Sequence, residues 1–339
     1  MLIIQKFGKT ISALALAYKF QEKVLVVCTN VDIRQMWEKE IEQFFGFKPG
    51  VIGSGRFEID TPIVVSNIQS VRKKYQEVSD QFGMLVVDEA HHCCAATFDL
   101  LVMFSKARIK IGLTGTLKRK DGLHVTFPNY FGLKVYTPEE RNTLPPTIHR
   151  YELSCGLPGN QMTPWALRIN ELYSYPEYSG TIKELANAYA LLGHKVLVVN
   201  DRVEFLNDMY VENQVESFII TGDVQNRLEI QDLVAKHEGG CILWATQSIF
   251  SEGISLNELS CVILATPTNN ESLVQQIVGR IQRIVEGKLD PVVVDILLSC
   301  NTGRRHGYMR KATYFMRGWE MFSKTKGWLA AQVKRKLNC

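Results

Sequence analysis

A Gly-Lys-Thr triplet near the start of the chain has the composition of a phosphate-binding loop. Gly8, Lys9 and Thr10 precede a helical pattern that begins at Ile11. Backbone N–H groups at a helix N-terminus can face phosphates, a lysine can reach their β and γ oxygens, and a threonine hydroxyl can bind Mg²⁺. The loop is imperfect, because Lys6 stands where a second glycine would allow close backbone approach. Because such triplets also occur by chance, the nucleotide site needs support from a second motif.

Two adjacent carboxylates supply that second motif. Asp88 and Glu89 directly follow the apolar run Met84–Val87. The end of a buried strand lies at the edge where open α/β sheets bind ligands. We expect Asp88 to hold Mg²⁺ and Glu89 to polarise an attacking water. An exposed acidic turn is the alternative. It is disfavoured because the acidic pair follows Lys9 at a distance that leaves room for an intervening set of strands and helices.

Histidines and cysteines follow this acidic pair. His91, His92, Cys93 and Cys94 are consecutive. Four consecutive side chains cannot all reach one tetrahedral zinc ion, and no second pair with zinc-finger spacing follows. We therefore interpret His91 as part of the acidic motif.

Two further segments carry polar groups at the ends of elements. Thr114 and Thr116 end the run that starts at Lys110, and their hydroxyls could transmit the state of the acidic motif. In isolation, a simple turn is the better explanation of these residues. Gln276, Arg280 and Arg283 fall on a predicted helix. Arginines three residues apart project from one helix face and could stabilise charge on a transferred phosphoryl group. A solvated basic face is the alternative for this pair.

The elements that position these residues alternate between strands and helices. Continuous apolar runs are typical of strands buried on both faces of a parallel sheet. They predict strands at Val24–Cys28, Ile63–Asn67, Met84–Asp88, Lys110–Thr114, Val196–Asn200, Ser217–Thr221, Cys241–Ala245, Cys261–Ala265 and Val292–Ile296. Helical patterns occupy Ile11–Phe20, Ile33–Phe45, Ile182–Leu192, Arg202–Tyr210, Arg227–His237 and Leu273–Val285. The alternation predicts an α/β protein with two tandem doubly wound parallel sheets.

The pattern breaks once, in a stretch rich in proline and glycine. We predict a first domain at 1–140, a linker at 141–165, a second domain at 166–300 and a C-terminal extension at 301–339. The chain begins directly before the phosphate loop, which leaves open whether it is a minimal core or a truncated one.

Composition excludes several classes of protein. The chain has 339 residues, of which 46% are hydrophobic and 22% charged, and this excludes a disordered or fibrous protein. No apolar run approaches the length that a membrane-spanning helix needs, and Met1 leads into no signal-peptide pattern. Eight scattered cysteines indicate reduced thiols. We therefore expect a soluble, intracellular protein with no membrane partner.

The net charge of +4 is unevenly distributed. Residues 301–339 contain ten Lys/Arg and one acid, a local charge of +9, so the other 300 residues sum to −5. Aromatic side chains are interleaved with these basic residues. Two interpretations remain open and can both hold: Tyr308–Phe322 forms an amphipathic helix that packs its aromatics on the second domain, and the outer Lys/Arg of the extension bind nucleic acid.

In their order and spacing these motifs resemble those of superfamily-two helicases and translocases, of the kind named for the letters DEAH. The resemblance covers nearly the whole chain. Less specific matches are Val26–Trp37, Val64–Val71, Lys195–Leu206, Ile220–Arg227 and Leu243–Leu256. Within the superfamily, the chain looks most like the XPB-type and UvsW-like group, whose members act on DNA and often on forks and branched junctions. Departures from the family pattern are Lys6, Leu117 and Ser255.

The resemblance implies two RecA-like domains with ATP in the cleft between them, and DNA as the partner, whether single-stranded, forked or branched. For ATP and Mg²⁺ it implies Gly8, Lys9, Thr10, Asp88, His91 and Gly253, with Thr10 and Asp88 at the metal. For catalysis it implies Glu89, Gln276, Arg280 and Arg283, and for coupling Thr114 and Thr116. For contacts with the nucleic-acid strand it implies Thr29, Ser66, Gln69, Arg202 and Thr246.

The function predicted from the sequence is an ATP-dependent DNA helicase or translocase, with DNA repair and recombination as expected settings and a virus as one expected source. Two alternatives stay open: a nucleic-acid-binding scaffold that has lost ATPase activity, and an RNA-directed helicase of the same superfamily. The oligomeric state, the direction of movement and the preferred substrate shape are open as well.

Overall fold

The chain folds into two compact units, Met1–Arg141 and Asn142–Cys339. The computed structural model describes residues 2–4, 9–90, 101–114, 123–136, 143–159, 162–247 and 256–338. Each unit is built around its own sheet.

The first unit contains an eight-stranded sheet with helices between its strands. Its strands are β1 (Leu2–Ile4), β2 (Val24–Cys28), β3 (Gly50–Gly53), β4 (Arg56–Phe57), β5 (Ile63–Asn67), β6 (Met84–Val87), β7 (Ile109–Thr114) and β8 (Val135–Tyr136). Its α-helices are α1 (Lys9–Phe20), α2 (Val31–Phe45), α3 (Ile68–Lys73), α4 (Tyr75–Val78) and α5 (Phe127–Phe131). The strand order is β4-β3-β5-β2-β6-β7-β1-β8, and every pairing is parallel except that of β3 with β4.

This sheet has an apolar core on each face. Along β2, Leu25 and Val27 pack into one buried cluster, whereas Val24, Val26 and Cys28 pack into the other. Successive side chains of a strand point to opposite faces, so a continuous apolar run is required when both faces are covered. The predicted central strands of this unit are therefore present.

The β3–β4 hairpin was not predicted. Its turn carries positive φ angles at Gly53 (137°), Ser54 (53°) and Gly55 (79°). The buried Arg34 of α2 donates to the Ser54 hydroxyl at 3.2 Å. The strands are only four and two residues long, too short to give a periodic signal.

The second unit contains a seven-stranded, wholly parallel sheet. Its strands are β9 (Thr147–Leu153), β10 (Lys195–Asn200), β11 (Ser217–Ile220), β12 (Cys241–Thr246), β13 (Cys261–Leu264), β14 (Val292–Leu298) and β15 (Met321–Ser323), in the order β11-β12-β10-β13-β14-β9-β15. Its helices are α6 (Trp165–Tyr173), α7 (Pro176–Leu191), α8 (Val203–Tyr210), α9 (Arg227–Lys236), α10 (Glu271–Ile281), α11 (Asn301–Met316) and α12 (Lys326–Leu337). No helix in the described parts of either unit is long and apolar enough to cross a membrane.

The structure differs from the predicted linker at 141–165. This range contains β9, which pairs along its full length with β14. Two polar residues, His149 and Arg150, interrupt the apolar pattern of β9. The sheet accommodates them because Arg150 is bonded to a buried acid and His149 to a buried tyrosine. A strand whose inward residues include paired polar groups lacks the apolar run on which the prediction relied.

The C-terminal extension also differs from its prediction. It belongs to the second unit, and its first helix ends at Met316 rather than continuing to Phe322. Gly318, with a φ of +67°, reverses the chain, and the N–H of Trp319 bonds to the Tyr314 carbonyl at 3.0 Å. Residues 321–323 then add β15 to the sheet.

A buried ionic cluster attaches this extension to the sheet. Asp295 of β14 is completely buried and accepts bonds from Arg150 at 2.6 and 2.8 Å and from Arg310 at 2.6 Å. Arg310 also donates to the carbonyls of Thr268 and Ile296. Arg310 is therefore not one of the outer basic residues of the extension, because its guanidinium lies inside the unit.

We expect Asp295→Asn to destabilise the second unit by about 3–5 kcal/mol, because it removes the carboxylate that two buried guanidinium groups share. Urea unfolding followed by tryptophan fluorescence measures the loss. Asp290→Asn, at an exposed position beside the same strand, is the matched control. Equal midpoints for the two variants would contradict this account of the cluster.

The five cysteines that the structure describes, Cys28, Cys155, Cys241, Cys261 and Cys300, carry free thiols.

Candidate nucleotide and nucleic-acid sites

The first unit brings the predicted lysine and glutamate together at the carboxyl edge of its sheet. Lys9 begins α1, and Glu89 follows the end of β6. Lys9 Nζ lies 3.1 Å from Glu89 Oε1, and each side chain is 17% exposed. Because 80 residues separate the two in sequence, only the parallel sheet places them side by side.

Asp88 is the buried member of the site. Its Oδ2 accepts a hydrogen bond of 2.9 Å from Trp37 Nε1, and its Oδ1 accepts one of 2.9 Å from the N–H of Glu89. Burial raises the pKa of this carboxyl, and Lys9 opposes that shift. The carboxylate is thus held in one orientation by two donors in a poorly solvated position.

Trp37 is the site residue that sequence reasoning missed. It lies on α2 with Ile33 and Ile41, at a helical spacing of four, and all three are buried. That spacing identifies Trp37 as a core residue, and a buried indole N–H generally requires an acceptor. The acceptor lies 51 residues away, so the sequence contains no local sign of the bond.

Glu89 has a strained backbone. Its φ is +46°, in the left-handed region that residues other than glycine rarely adopt. Such outliers persist where the surrounding structure over-determines them, and they are concentrated at functional sites. Here the bond between the Glu89 N–H and Asp88 and the ion pair with Lys9 both act on this residue.

The residues present fit ATP and Mg²⁺. Lys9 and Thr10 are the first residues of a twelve-residue helix, whose N-terminus favours phosphate. Mg²⁺ is commonly held by one or two carboxylates together with substrate phosphates, and Asp88 offers a carboxylate beside that helix. Thr10 would add a hydroxyl.

We expect Trp37→Phe to move the acid limb of the pH–rate profile for ATP hydrolysis to higher pH. The indole N–H bond lowers the pKa of Asp88, so losing it raises that pKa further, and the active carboxylate is protonated at a higher pH than in wild type. The profile of kcat/KM against pH measures the shift. Trp244→Phe is the control, because the buried Trp244 Nε1 has no hydrogen-bond partner among the described residues. Identical acid limbs in the two variants would refute this role.

The second unit places its predicted arginines differently from the sequence interpretation. Gln276 and Arg280 lie on α10, which ends at Ile281, so Arg283 is beyond the helix. Gln282 caps the helix, and its carbonyl accepts a bond of 2.9 Å from the Leu144 N–H. Arg283 then forms an antiparallel bridge with Thr143. The prediction that Arg280 and Arg283 share one helix face is therefore wrong, because the chain leaves the helix to pair with the start of this unit.

Arg283 is held by two residues that the sequence did not single out. Its guanidinium donates to the Asn257 side-chain oxygen. Lys288 Nζ donates to the carbonyls of Asn257 at 2.9 Å and Arg283 at 2.7 Å. Burial, together with the charge of Arg283, lowers the pKa of Lys288 to about 8. Asn257 follows the predicted motif at Leu243–Leu256, and this proximity in sequence is the one signal that could have indicated it.

The residues predicted to contact nucleic acid fall into two groups. Gln69 is exposed, and Arg202 is half-buried, with bonds to Asn170 and Asp201. Ser66 is completely buried, and its hydroxyl donates to the Ile52 carbonyl at 2.8 Å. The hydroxyl is therefore used inside the unit, and a contact between the backbone near Ser66 and nucleic acid stays a prediction.

Two predicted threonines retain unused hydroxyls. Within the described residues, Thr29 Oγ1 and Thr246 Oγ1 are buried and have no hydrogen-bond partner. Thr29 follows β2, and Thr246 ends β12, so each lies at the carboxyl edge of its own sheet. Both positions stay predictions for strand contact.

Thr114 ends β7 and is buried. The remaining predicted residues, Gly8, His91, Thr116 and Gly253, lie outside the described residues. So do His92, Cys93 and Cys94 of the rejected zinc interpretation.

Two family descriptions match the chain. Residues 7–119 match the family "Type III restriction enzyme, res subunit", and residues 181–285 match the "Helicase conserved C-terminal domain". The first range contains Lys9, Asp88 and Glu89, and the second contains Gln276, Arg280 and Arg283.

Curated relatives extend this likeness over nearly the whole chain. Probable helicase D10 of Escherichia phage T5 is 54% identical over 94% of this chain and 72% of its own length. The DNA 3'-5' translocase XPB2 of Sulfurisphaera tokodaii is 27% identical over 43% of this chain and 33% of its own. The ATP-dependent DNA helicase uvsW of Enterobacteria phage T4 is 22% identical over 86% and 62%.

A solved structure supports the fold. Dbp5 of S. cerevisiae bound to RNA and ADP BeF3 matches 99% of this chain and 88% of its own, with a TM-score of 0.71 and 13% identity. At that identity the likeness concerns the fold alone. The predicted α/β class with two parallel-sheet domains is confirmed. The chain belongs to superfamily two of the ATP-dependent helicases.

Proposed function

We propose that this protein is a DNA translocase that uses ATP hydrolysis to move along DNA and to remodel forked or branched DNA. The observation that carries the proposal is the arrangement of Lys9, Asp88 and Glu89 at one sheet edge, with a buried carboxylate and an adjacent lysine–glutamate pair. The choice of DNA is supported by two relatives of this chain, the DNA 3'-5' translocase XPB2 and the ATP-dependent DNA helicase uvsW.

Each residue of the first unit has a proposed task. Lys9 binds the β and γ phosphates, and the N-terminus of α1 favours their charge. Asp88 and Thr10 would hold Mg²⁺, which would neutralise phosphate charge. Glu89 accepts the proton of the attacking water. The ion pair with Lys9 positions the Glu89 carboxylate until the lysine binds a phosphate.

The arginines of the second unit complete the proposed reaction. Arg283, held by Asn257, stabilises charge on the transferred phosphoryl group, and Arg280 and Gln276 assist it. Neither unit carries all of these groups, so hydrolysis requires that both act on one nucleotide. We propose that this requirement converts each hydrolysis event into movement, because the two units change their hold on the strand together.

Strand displacement tests the proposal directly. We expect ATP-dependent release of a labelled third strand from a triplex on linear duplex DNA, and faster processing of a four-way junction than of a blunt duplex. A protein that hydrolyses ATP with DNA but releases no third strand would contradict translocation. Release without any preference for forks or junctions would restrict the proposal to linear DNA.

A further inference from the structure

Helix α11 presents basic and aromatic side chains to solvent along one side. We call Arg304, Tyr308, Lys311 and Phe315 the outer face of α11. Their spacing of four, three and four residues places them in one row. Tyr308 is 72% exposed and Phe315 84% exposed, and Arg304 and Lys311 are exposed as well.

The opposite side of the helix fixes this orientation. Gly303 and Gly307 lie against β14, where an added Cβ would come within 2.5 Å of Leu298 and 2.3 Å of Leu297. Arg310, one helical turn farther on, is bonded to Asp295. Because close backbone packing and a buried ion pair hold this side, the helix cannot rotate to bury Tyr308 and Phe315.

The outer face is positively charged. Helix α11 contains no acidic residue, and Arg305, next to Arg304, adds a further exposed positive charge. The buried Asp295 cannot neutralise the outer face, because Arg150 and Arg310 already share its charge. A partner for this surface therefore needs repeated negative charge together with flat apolar groups.

We propose that the outer face of α11 binds single-stranded nucleic acid, with Arg304 and Lys311 on phosphates and Tyr308 and Phe315 stacked on bases. Single strands bind proteins through this combination, because phosphates supply the charge and every base has a π-face. Tyr308 and Phe315 are separated by about 10 Å along the helix axis, given a rise of ~1.5 Å per residue. Both rings can therefore act on one strand. The inference rests on the proposed function for its choice of nucleic acid as substrate.

Fluorescence anisotropy of labelled oligothymidylate, titrated with the full-length protein in the absence of ATP, tests this surface. We expect Tyr308→Ala with Phe315→Ala to weaken binding on the order of tenfold with an unchanged salt slope. We expect Arg304→Gln with Lys311→Gln to weaken binding and to reduce the slope of log K against log salt by about 1.4, since each phosphate contact contributes ~0.7 on single strands. Tyr308→Phe keeps the ring and should bind as wild type.

Matched controls come from the first unit. Tyr18→Ala removes a tyrosine that is 67% exposed, and Arg108→Gln removes an exposed arginine; both should bind as wild type. Wild-type affinity and salt slope in both α11 variants would overturn the proposal. The proposal would also be overturned if the α11 variants bound oligothymidylate as wild type does but no longer bound poly-glutamate. That result would assign the face to an acidic polypeptide. This test measures binding without ATP and is therefore independent of hydrolysis. If no polymer stimulated ATP hydrolysis, the proposed function would be refuted, but the binding test would still decide whether α11 binds single strands.

Discussion

Arg283→Ala is expected to abolish DNA-stimulated ATP hydrolysis, with a loss of about 10³–10⁵-fold, while nucleotide still binds. A guanidinium stabilises the charge that develops on the phosphoryl oxygens during transfer, and alanine cannot replace it. The backbone bridge of Arg283 with Thr143 does not depend on the side chain, so the local fold should persist. Steady-state phosphate release with saturating DNA measures the loss, and titration with a fluorescent ATP analogue measures binding.

Two variants separate chemistry from structure in this prediction. Arg283→Lys retains a charge but loses the forked donor geometry, and we expect it to be nearly as inactive as alanine. Arg108→Ala removes an exposed arginine of the first unit and should be fully active. Wild-type turnover in Arg283→Ala would exclude this arginine from catalysis.

Glu89→Gln is expected to reduce kcat by about 10²–10⁴-fold with little change in the affinity for ATP. Glutamine has nearly the shape of glutamate, but its amide cannot accept a proton from water. The substitution also ends the ion pair with Lys9, which remains available to bind phosphate. Single-turnover hydrolysis with preformed complex isolates this step from product release.

Glu77→Gln is the matched control for this variant. Glu77 forms a lysine–glutamate pair with Lys74 at 2.9 Å, but both side chains are about half exposed. Loss of a surface pair has a small effect on stability, so activity should be unchanged. If Glu89→Gln hydrolyses ATP as fast as Glu77→Gln does, then Glu89 is not the general base.

The central strands, and the functional residues at their ends, can be predicted from the sequence. Runs such as Val24–Cys28 and Met84–Val87 are continuous because both faces of the sheet are covered, and this requirement is visible residue by residue. The acidic pair at Asp88 was found for the same reason, because it marks the point where such a run stops.

Long-range polar partners could not be predicted in the same way. The bond from Trp37 to Asp88 and the cluster of Arg150, Asp295 and Arg310 join residues that only the fold brings together. A strand such as β9, whose polar residues are neutralised by distant partners, has no periodic signal of its own. The helical pattern extends past the end of α10, because Gln282 and Arg283 pair with the start of the unit rather than with the helix.

A single panel of ATPase rates tests whether DNA switches on ATP hydrolysis by this chain. The wild-type protein is assayed with single-stranded DNA, forked DNA, RNA or no polymer, with Glu89→Gln run beside it to exclude a contaminating ATPase. We expect low turnover without polymer or with RNA, strong stimulation by both DNAs, and no stimulation in the variant. Stimulation by RNA alone, or equal rates with every polymer and with none, would contradict the account.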